Sequence, residues 1–207
     1  MTNCFSAAEE KLKQAAKKVF LEKGFDGTTT RDIAQEAGMN GALLNYYFRS
    51  KEKLFSLVFE ELFQLNFQGM IQILNQTSSL KEKVTGLIEH DFRLFNCNPG
   101  LVTFVHNELH RNPDRFFKAV PIHKSVASTL FEKQLQDAIA AGEIRPITIP
   151  HLLLLIVANV QFIFQSKIMA TRMWQMNEQE FETFVEEHQQ IVTEMICHYL
   201  FIKKPDC

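Results

Sequence analysis

Apolar positions recur along this chain at intervals of three and four, with no convincing run of strict alternation. Leu12, Ala15, Ala16, Val19 and Phe20 keep the spacing of a helix with one buried face. Ser6-Ala-Ala-Glu9 before them has the form of a capping box, and Gly24 is the stop. Asp26-Gly27 is a turn. Thr29 with Asp32 predicts a second helix start, and Ile33, Ala34 and Ala37 give that helix its apolar stripe. Gly38 can take the left-handed conformation that ends a helix, and Asn40 stands as the next N-cap. A third helix runs from about Gly41 to Tyr47, with Leu44 and Phe48 four apart on its buried side. The stretch 29–48 is therefore a helix-turn-helix unit, whose second helix can lie in a DNA major groove. The small residues Gly41 and Ala42 let that helix approach another surface closely.

Ser50 caps a fourth helix carrying Leu54, Phe55, Val58, Phe59, Leu62, Phe63 and Leu65, a stripe too wide for one face. Such a helix packs on more than one side, so it bridges the N-terminal module and the C-terminal remainder of the chain. Asn75-Gln-Thr-Ser-Ser79 reads as a linker. Ser79-Leu-Lys-Glu82 opens a helix with Val84, Leu87, Ile88, Phe92 and Phe95 inward. Asn96-Cys-Asn-Pro-Gly100 breaks it, and a short helix comes next, from about Leu101 to His110. Asn112-Pro113 can start another short one. A longer helix from about Ile122 to Ala141 ends at Gly142 and Arg145-Pro146. Pro150 starts a helix reaching about Trp174. Asn177-Glu-Gln-Glu180 caps the last, with Phe181, Phe184, Val185, His188, Ile191, Val192, Met195, Ile196 and Tyr199 at helical spacing. The fold class is all-α, with about nine helices and no strand.

Composition changes this picture only slightly. The 207 residues are 46% hydrophobic and 22% charged, within the range of a soluble globular protein. Nineteen Phe against three Tyr and one Trp point to a soft apolar interior. The formal charge is −2, but residues 1–55 hold nine basic and seven acidic side chains, so the small positive excess lies with the helix-turn-helix. Cys4, Cys97, Cys197 and Cys207 show no metal spacing and no CxxC pair, which fits a reducing cytoplasm. No signal peptide is visible, and the most apolar stretch, Leu152–Phe164, is too short to span a bilayer.

Residues 8–60 resemble the N-terminal domain of TetR-family transcriptional regulators. The likeness covers Ala15–Phe25, Thr29-Thr-Arg-Asp-Ile-Ala, Ala37-Gly38, Leu44, Tyr47-Phe48 and Ser50-Lys-Glu-Lys-Leu54. Further on it is one of layout only, in Ala141-Gly142-Glu-Ile-Arg145-Pro146 and the two long helices after it. The resemblance implies a three-helix DNA-binding domain over 6–66 and a helical effector-binding and dimerisation domain over 67–207. It implies a homodimer, paired through the last two helices, on a palindromic double-stranded operator. Thr29 and Thr30 would meet phosphate, and Arg31 a phosphate or the O6/N7 edge of guanine. Tyr46 and Tyr47 would offer hydroxyls, and Lys51 would meet the DNA backbone at the positive end of its helix. Asn40, Gly41, Ala42 and Asn45 belong to the same face. Two positions depart from the family. Gly41 replaces a long polar base-reader and Asn45 replaces a tyrosine, so readout leans on Arg31, Tyr46 and DNA shape.

Each of these residues also has a purely structural reading. Phe48 is a core residue, and for Tyr47 packing and phosphate contact stand equal. Thr29 can be a plain cap and Lys51 a solvated charge. His106 and His110 lie four apart with Glu108 near, but further ligands at recognisable spacing are lacking, so neither is assigned to a metal. No phosphate loop, nucleophile elbow or paired carboxylates argue for catalysis, and no cofactor is implied. The resemblance would place an effector cavity among Phe92, Phe95, Phe104, His106, Phe116, Phe131, Phe162 and Phe164, which favours an apolar or aromatic ligand. The alternative for these residues is a packed core. The reading is a cytoplasmic, ligand-responsive regulator, a repressor rather than an enzyme, with no membrane partner. Its rival is a helical ligand-binding or interaction protein whose helix-turn-helix no longer binds DNA.

Overall fold

The computed structural model describes residues 6–114, 117 and 130–202. Ten helices are defined among them: α1 Ala7–Lys23, α2 Thr30–Ala37, α3 Gly41–Phe48, α4 Lys51–Asn75, α5 Leu80–Cys97, α6 Gly100–Arg111, α7 Leu130–Ala140, α8 Ile149–Gln165, α9 Lys167–Met173 and α10 Glu178–Leu200. The chain divides into two compact units, Met1–Leu65 with Thr103–Val120, and Asn66–Val102 with Pro121–Cys207. The divisions fall inside α4 and α6.

In the first unit, Leu12, Ala16, Val19 and Phe20 of α1 are buried with Ile33, Ala34 and Ala37 of α2 and Leu44 and Phe48 of α3. Phe55 meets Phe20 and Phe25 edge to face, 5.0 Å from the first and 4.8 Å from the second, while Phe20 and Phe25 stack at 6.2 Å. Phe104 of α6 joins the same core, 5.3 Å from Phe55 and 5.7 Å from Phe59. Each fully buried Phe contributes about 1.5–3 kcal/mol of transfer free energy, so this aromatic knot is a main source of the unit's cohesion.

In the second unit, α5 packs against α8, α10 and α7. Leu87, Ile88, Phe92 and Phe95 are buried with Leu152, Ile156, Val160 and Ile163 of α8 and with Phe181, Val185, Val192 and Ile196 of α10. Lys83 is also buried, its ammonium donating to the carbonyl of Leu74 at 2.9 Å. Desolvation holds its pKa below the usual lysine range. The chain end pairs with the segment before α8. Arg145 N–H donates to Leu200 O at 2.8 Å and Ile202 N–H to Glu143 O at 2.9 Å, around an isolated bridge of Ile144 with Phe201. No strand occurs among the described residues.

One expectation is corrected. The helix from Pro150 to Trp174 is two helices, bent by 48° at Ser166. The Ser166 hydroxyl donates to Ile163 O at 2.9 Å, a back-bond that competes with the helical ladder. Thr148 caps α8 by accepting from His151 N–H, and Pro150 lies in its first turn. On α10, Ile191, Met195 and Tyr199 face outward, being 60%, 46% and 51% exposed. Of the helix expected over 122–141, the part before Leu130 lies outside the described residues. No single described helix is long and apolar enough to cross a membrane, although the bent pair α8–α9 together has the length and composition.

Candidate nucleic-acid interface

The helix-turn-helix is assembled from local signals, each one satisfied. The Thr29 hydroxyl accepts from Asp32 N–H at 3.1 Å, and the Asp32 carboxylate accepts from Thr29 N–H at 2.7 Å. Lys23 donates to the same carboxylate at 2.8 Å. That ammonium, with the two Thr29 bonds, holds the Asp32 carboxyl well below the usual range. Upstream, the buried Thr28 hydroxyl donates to Gly24 O at 2.6 Å and ties the turn to the end of α1. Gly27 is required there, because a Cβ would lie 2.4 Å from the backbone oxygen of Lys23. Gly38 takes φ 60°, ψ 39°, the left-handed cap that turns the chain between α2 and α3. Asn40 then accepts from Ala42 N–H at 2.9 Å and opens α3.

With Leu44 and Phe48 held in the core, the opposite side of α3 is fixed. Ala42, Asn45, Tyr46 and Arg49, spaced i, i+3, i+4, i+7, are all exposed. Tyr46 projects furthest, 77% exposed, with its ring 5.1 Å from the half-buried Tyr47. Asn45 therefore faces outward beside Tyr46. Gly41 is half-buried at the N-terminus of α3, and only the Ala34 methyl would come within 4.0 Å of a Cβ there. Thr29, Arg31 and Asn40 are exposed and Thr30 is half-buried.

The charges sort into two classes. Lys18 is paired with Glu36 at 2.7 Å and Lys23 with Asp32. The guanidinium groups of Arg31 and Arg49 make no ion pair or hydrogen bond among the described residues, so their positive charge is uncompensated on the exposed side. Lys51 differs from both classes. Its ammonium donates to Phe25 O at 3.0 Å and Thr28 O at 2.9 Å and sits 4.1 Å from the centre of the Phe25 ring. Two of its three donors thus staple the start of α4 to the turn before α2.

Arg49 is a residue that sequence reasoning missed. It terminates α3 with φ 65°, ψ −34°, a left-handed backbone that a side chain rarely adopts. Its sequence signal is faint: a basic residue one turn beyond Asn45 and Tyr46, ahead of the Ser50 cap.

Three of the eight residues expected to line a cavity meet one another. Phe92, Phe95 and Phe164 meet in the second unit, with Phe164 6.1 Å from Phe92 and 5.9 Å from Phe95. Phe131 is fully buried in that unit. Phe104 belongs to the aromatic core of the first unit. His106 is exposed, and Phe162 stands outward, 64% exposed. Phe116 lies outside the described residues. Three-residue groups able to hold a metal are absent among the described residues.

Comparison with known proteins agrees with this geometry. Residues 12–58 match the model of the bacterial regulatory proteins of the tetR family. The HTH-type transcriptional repressor KstR2 of Mycolicibacterium smegmatis is 30% identical over 142 residues, covering 68% of this chain and 69% of that protein. Among solved structures, a candidate fatty acid metabolism regulator from Clostridium perfringens superposes with TM-score 0.69 at 23% identity, over 93% of this chain and 100% of that one. The transcriptional regulator FadR from Bacillus subtilis, in complex with stearoyl-CoA, superposes with TM-score 0.62 at 17% identity, over 89% and 97%. The two structures speak for the fold. The KstR2 likeness, together with a match over 12–58 that spans α2 and α3, establishes that this chain belongs to the TetR family of helix-turn-helix transcriptional regulators.

Proposed function

We propose that this regulator is a ligand-responsive repressor that acts as a homodimer in the cytoplasm, on a palindromic operator. The outward ridge Ala42-Asn45-Tyr46-Arg49 of α3 carries the reading, because it leaves one polar, cationic face of a short helix open to a major groove. Arg31 stands at the start of α2, where a guanidinium can reach a phosphate or a guanine edge. Thr29, Thr30, Asn40 and Tyr47 are assigned to phosphate contact in this reading, with the N-terminal amides of α3 at Gly41 and Ala42. Lys51 contributes chiefly by fixing the turn, with one ammonium proton left to donate.

The second unit supports dimerisation. On α8, His151, Leu155, Ala158 and Phe162 lie at i, i+4, i+7, i+11, all exposed. On α10, Ile191, Met195 and Tyr199 form a parallel exposed stripe. His151 and Leu155 of one stripe and Tyr199 of the other line one surface groove, so the stripes adjoin. Apolar stripes on adjacent helices are the usual faces of a four-helix pairing with a symmetry mate. Phe92, Phe95 and Phe164 supply an apolar interior for an effector, and the stearoyl-CoA held by FadR is a ligand of that general character.

The test is selection of bound duplexes from random DNA, and then affinity against salt. A palindromic sequence should be enriched, and its affinity should fall linearly on a log-log salt plot with the slope of several phosphate contacts. A pool that never departs from random would overturn the operator reading and favour a helix-turn-helix that has lost its DNA.

A further inference from the structure

The buried side of α5 contains one residue that does not belong to an apolar face. Asp91 lies seven residues after Val84, four after Leu87, three after Ile88 and four before Phe95, all buried. Helical geometry therefore puts Asp91 in the middle of the stripe that α5 turns inward. It is half-buried, and its carboxyl makes no hydrogen bond or ion pair among the described residues. Protein crowding around it is dense enough to push its pKa up to about 7, by desolvation alone. A residue in the middle of an inward-facing stripe that keeps accessible surface while its neighbours on the stripe are buried borders a space between helices. Its neighbours on α5 include Phe92 and Phe95, whose rings meet Phe164 of α8, and Phe92 also lies 6.2 Å from the His188 ring of α10.

An unpartnered carboxyl on the inward face of a helix is costly unless something bound there satisfies it. We infer that Asp91 is the polar anchor of the effector site, and that the effector has an apolar body and a hydrogen-bond donor, an amine or a hydroxyl, directed at that carboxyl. This rests on reading the second unit as effector-binding, and it narrows the ligand class. A free carboxylate or phosphate placed against Asp91 would be repelled, while an ammonium gains a charge-assisted bond.

The experiment uses the full-length protein and three probes of one shape: 4-phenylbutylamine, 4-phenylbutanol and 4-phenylbutyrate. Binding is read by calorimetry and by thermal shift at pH 7.5. The amine is expected to bind at least about tenfold more tightly than the carboxylate, with the alcohol also binding. In Asp91→Asn the amine preference over the carboxylate should collapse to near unity while the alcohol still binds, and the unliganded variant should melt no lower than the wild type. Equal binding of amine and carboxylate by the wild type overturns the proposal, as does an unchanged ratio in Asp91→Asn or no binding of any probe. Melting of unliganded Asp91→Asn several degrees lower also overturns it, since the carboxyl would then be held by the chain itself. Operator binding by the wild type is measured separately, so a failure there removes the DNA reading and leaves the ligand result standing.

Discussion

On α3 of the first unit the residues left outside are Ala42, Asn45, Tyr46 and Arg49, whereas on α10 of the second they include Ile191, Met195 and Tyr199. The difference is one of completeness. The helix-turn-helix of the first unit uses two short, capped helices whose apolar positions Ile33, Ala34, Ala37, Leu44 and Phe48 are taken up by one core, so the residues left outside are available to a polar, charged partner. The second uses long helices with more apolar surface than its core takes up; Leu154, Phe162, Ile168, Met173 and Trp174 are exposed as well. A surface of that kind is suited to another protein surface. The sharpest way to break the contrast is to place charge on the second unit's stripe. Ile191→Glu with Met195→Glu should weaken the dimer by about 3 kcal/mol or more, on the order of 100-fold or above, because carboxylates would be buried without partners. Light scattering should then show a monomer with unchanged helical circular dichroism, and operator affinity should drop with it. A variant that remains dimeric would remove this stripe from the interface.

The next effect is smaller and concerns the inside of the second unit. The ordinary Asp pKa of 3.8 applies when the chain is unfolded, and the folded value near 7 is higher, so ionisation of Asp91 opposes folding. The penalty is absent below pH 4, grows between pH 4 and 7, and is full above pH 7. Asp91→Asn should therefore be more stable than the wild type at pH 8 by about 1–3 kcal/mol, discounted because the carboxyl keeps some solvent contact. The gap should close by pH 4. Urea midpoints at the two pH values check this, and a gap that does not depend on pH would mean that Asp91 is not the group being titrated.

Arg31 sharpens the comparison from the other side. If its uncompensated guanidinium reads a base, Arg31→Ala should cost about 1–3 kcal/mol in operator affinity and relax preference at one position of the site. If it meets only phosphate, affinity should fall evenly across sequences. Gel-shift titration of the selected operator and its single-base variants separates these outcomes, and unchanged affinity would take Arg31 out of the interface.

Legibility in the sequence tracks the range of the interaction responsible. Ser6 with Glu9, Thr29 with Asp32, Ser79 with Glu82 and Asn177 with Glu180 all form the capping boxes that their spacing announces, since every participant lies within one turn. Gly24, Gly38 and Gly142 end helices or turns at positive φ for the same local reason. The break at Ser166 is hidden because serine is not a strong breaker and its effect here depends on a back-bond to Ile163. Lys51 reads as a surface charge; its acceptors lie 26 and 23 residues earlier in the chain and emerge only once the turn folds back. Ile191, Met195 and Tyr199 keep helical spacing with the buried positions, and periodicity alone does not separate a core face from one awaiting a second chain. The proposed cavity residues are the least legible, because aromatic residues in helices serve core, surface and pocket alike.

The smallest predicted effect isolates the one place where the first unit bears strain on its outward ridge. Arg49 holds φ 65°, ψ −34°, while its N–H donates to Asn45 O at 3.0 Å to close α3. Glycine adopts such a backbone without steric cost, so Arg49→Gly should raise the stability of the folded protein by about 1 kcal/mol. It also removes a cation from the face that α3 presents, so the salt slope of operator binding should fall by about one contact. The two measurements therefore move in opposite senses, stability upward and DNA affinity downward. A side chain with only a structural role would not separate them in this way. If stability drops on substitution, Arg49 packs against the module more than its exposure implies. If the salt slope is unchanged, the DNA lies nearer the N-terminal end of α3, and the readout rests on Arg31, Asn45 and Tyr46.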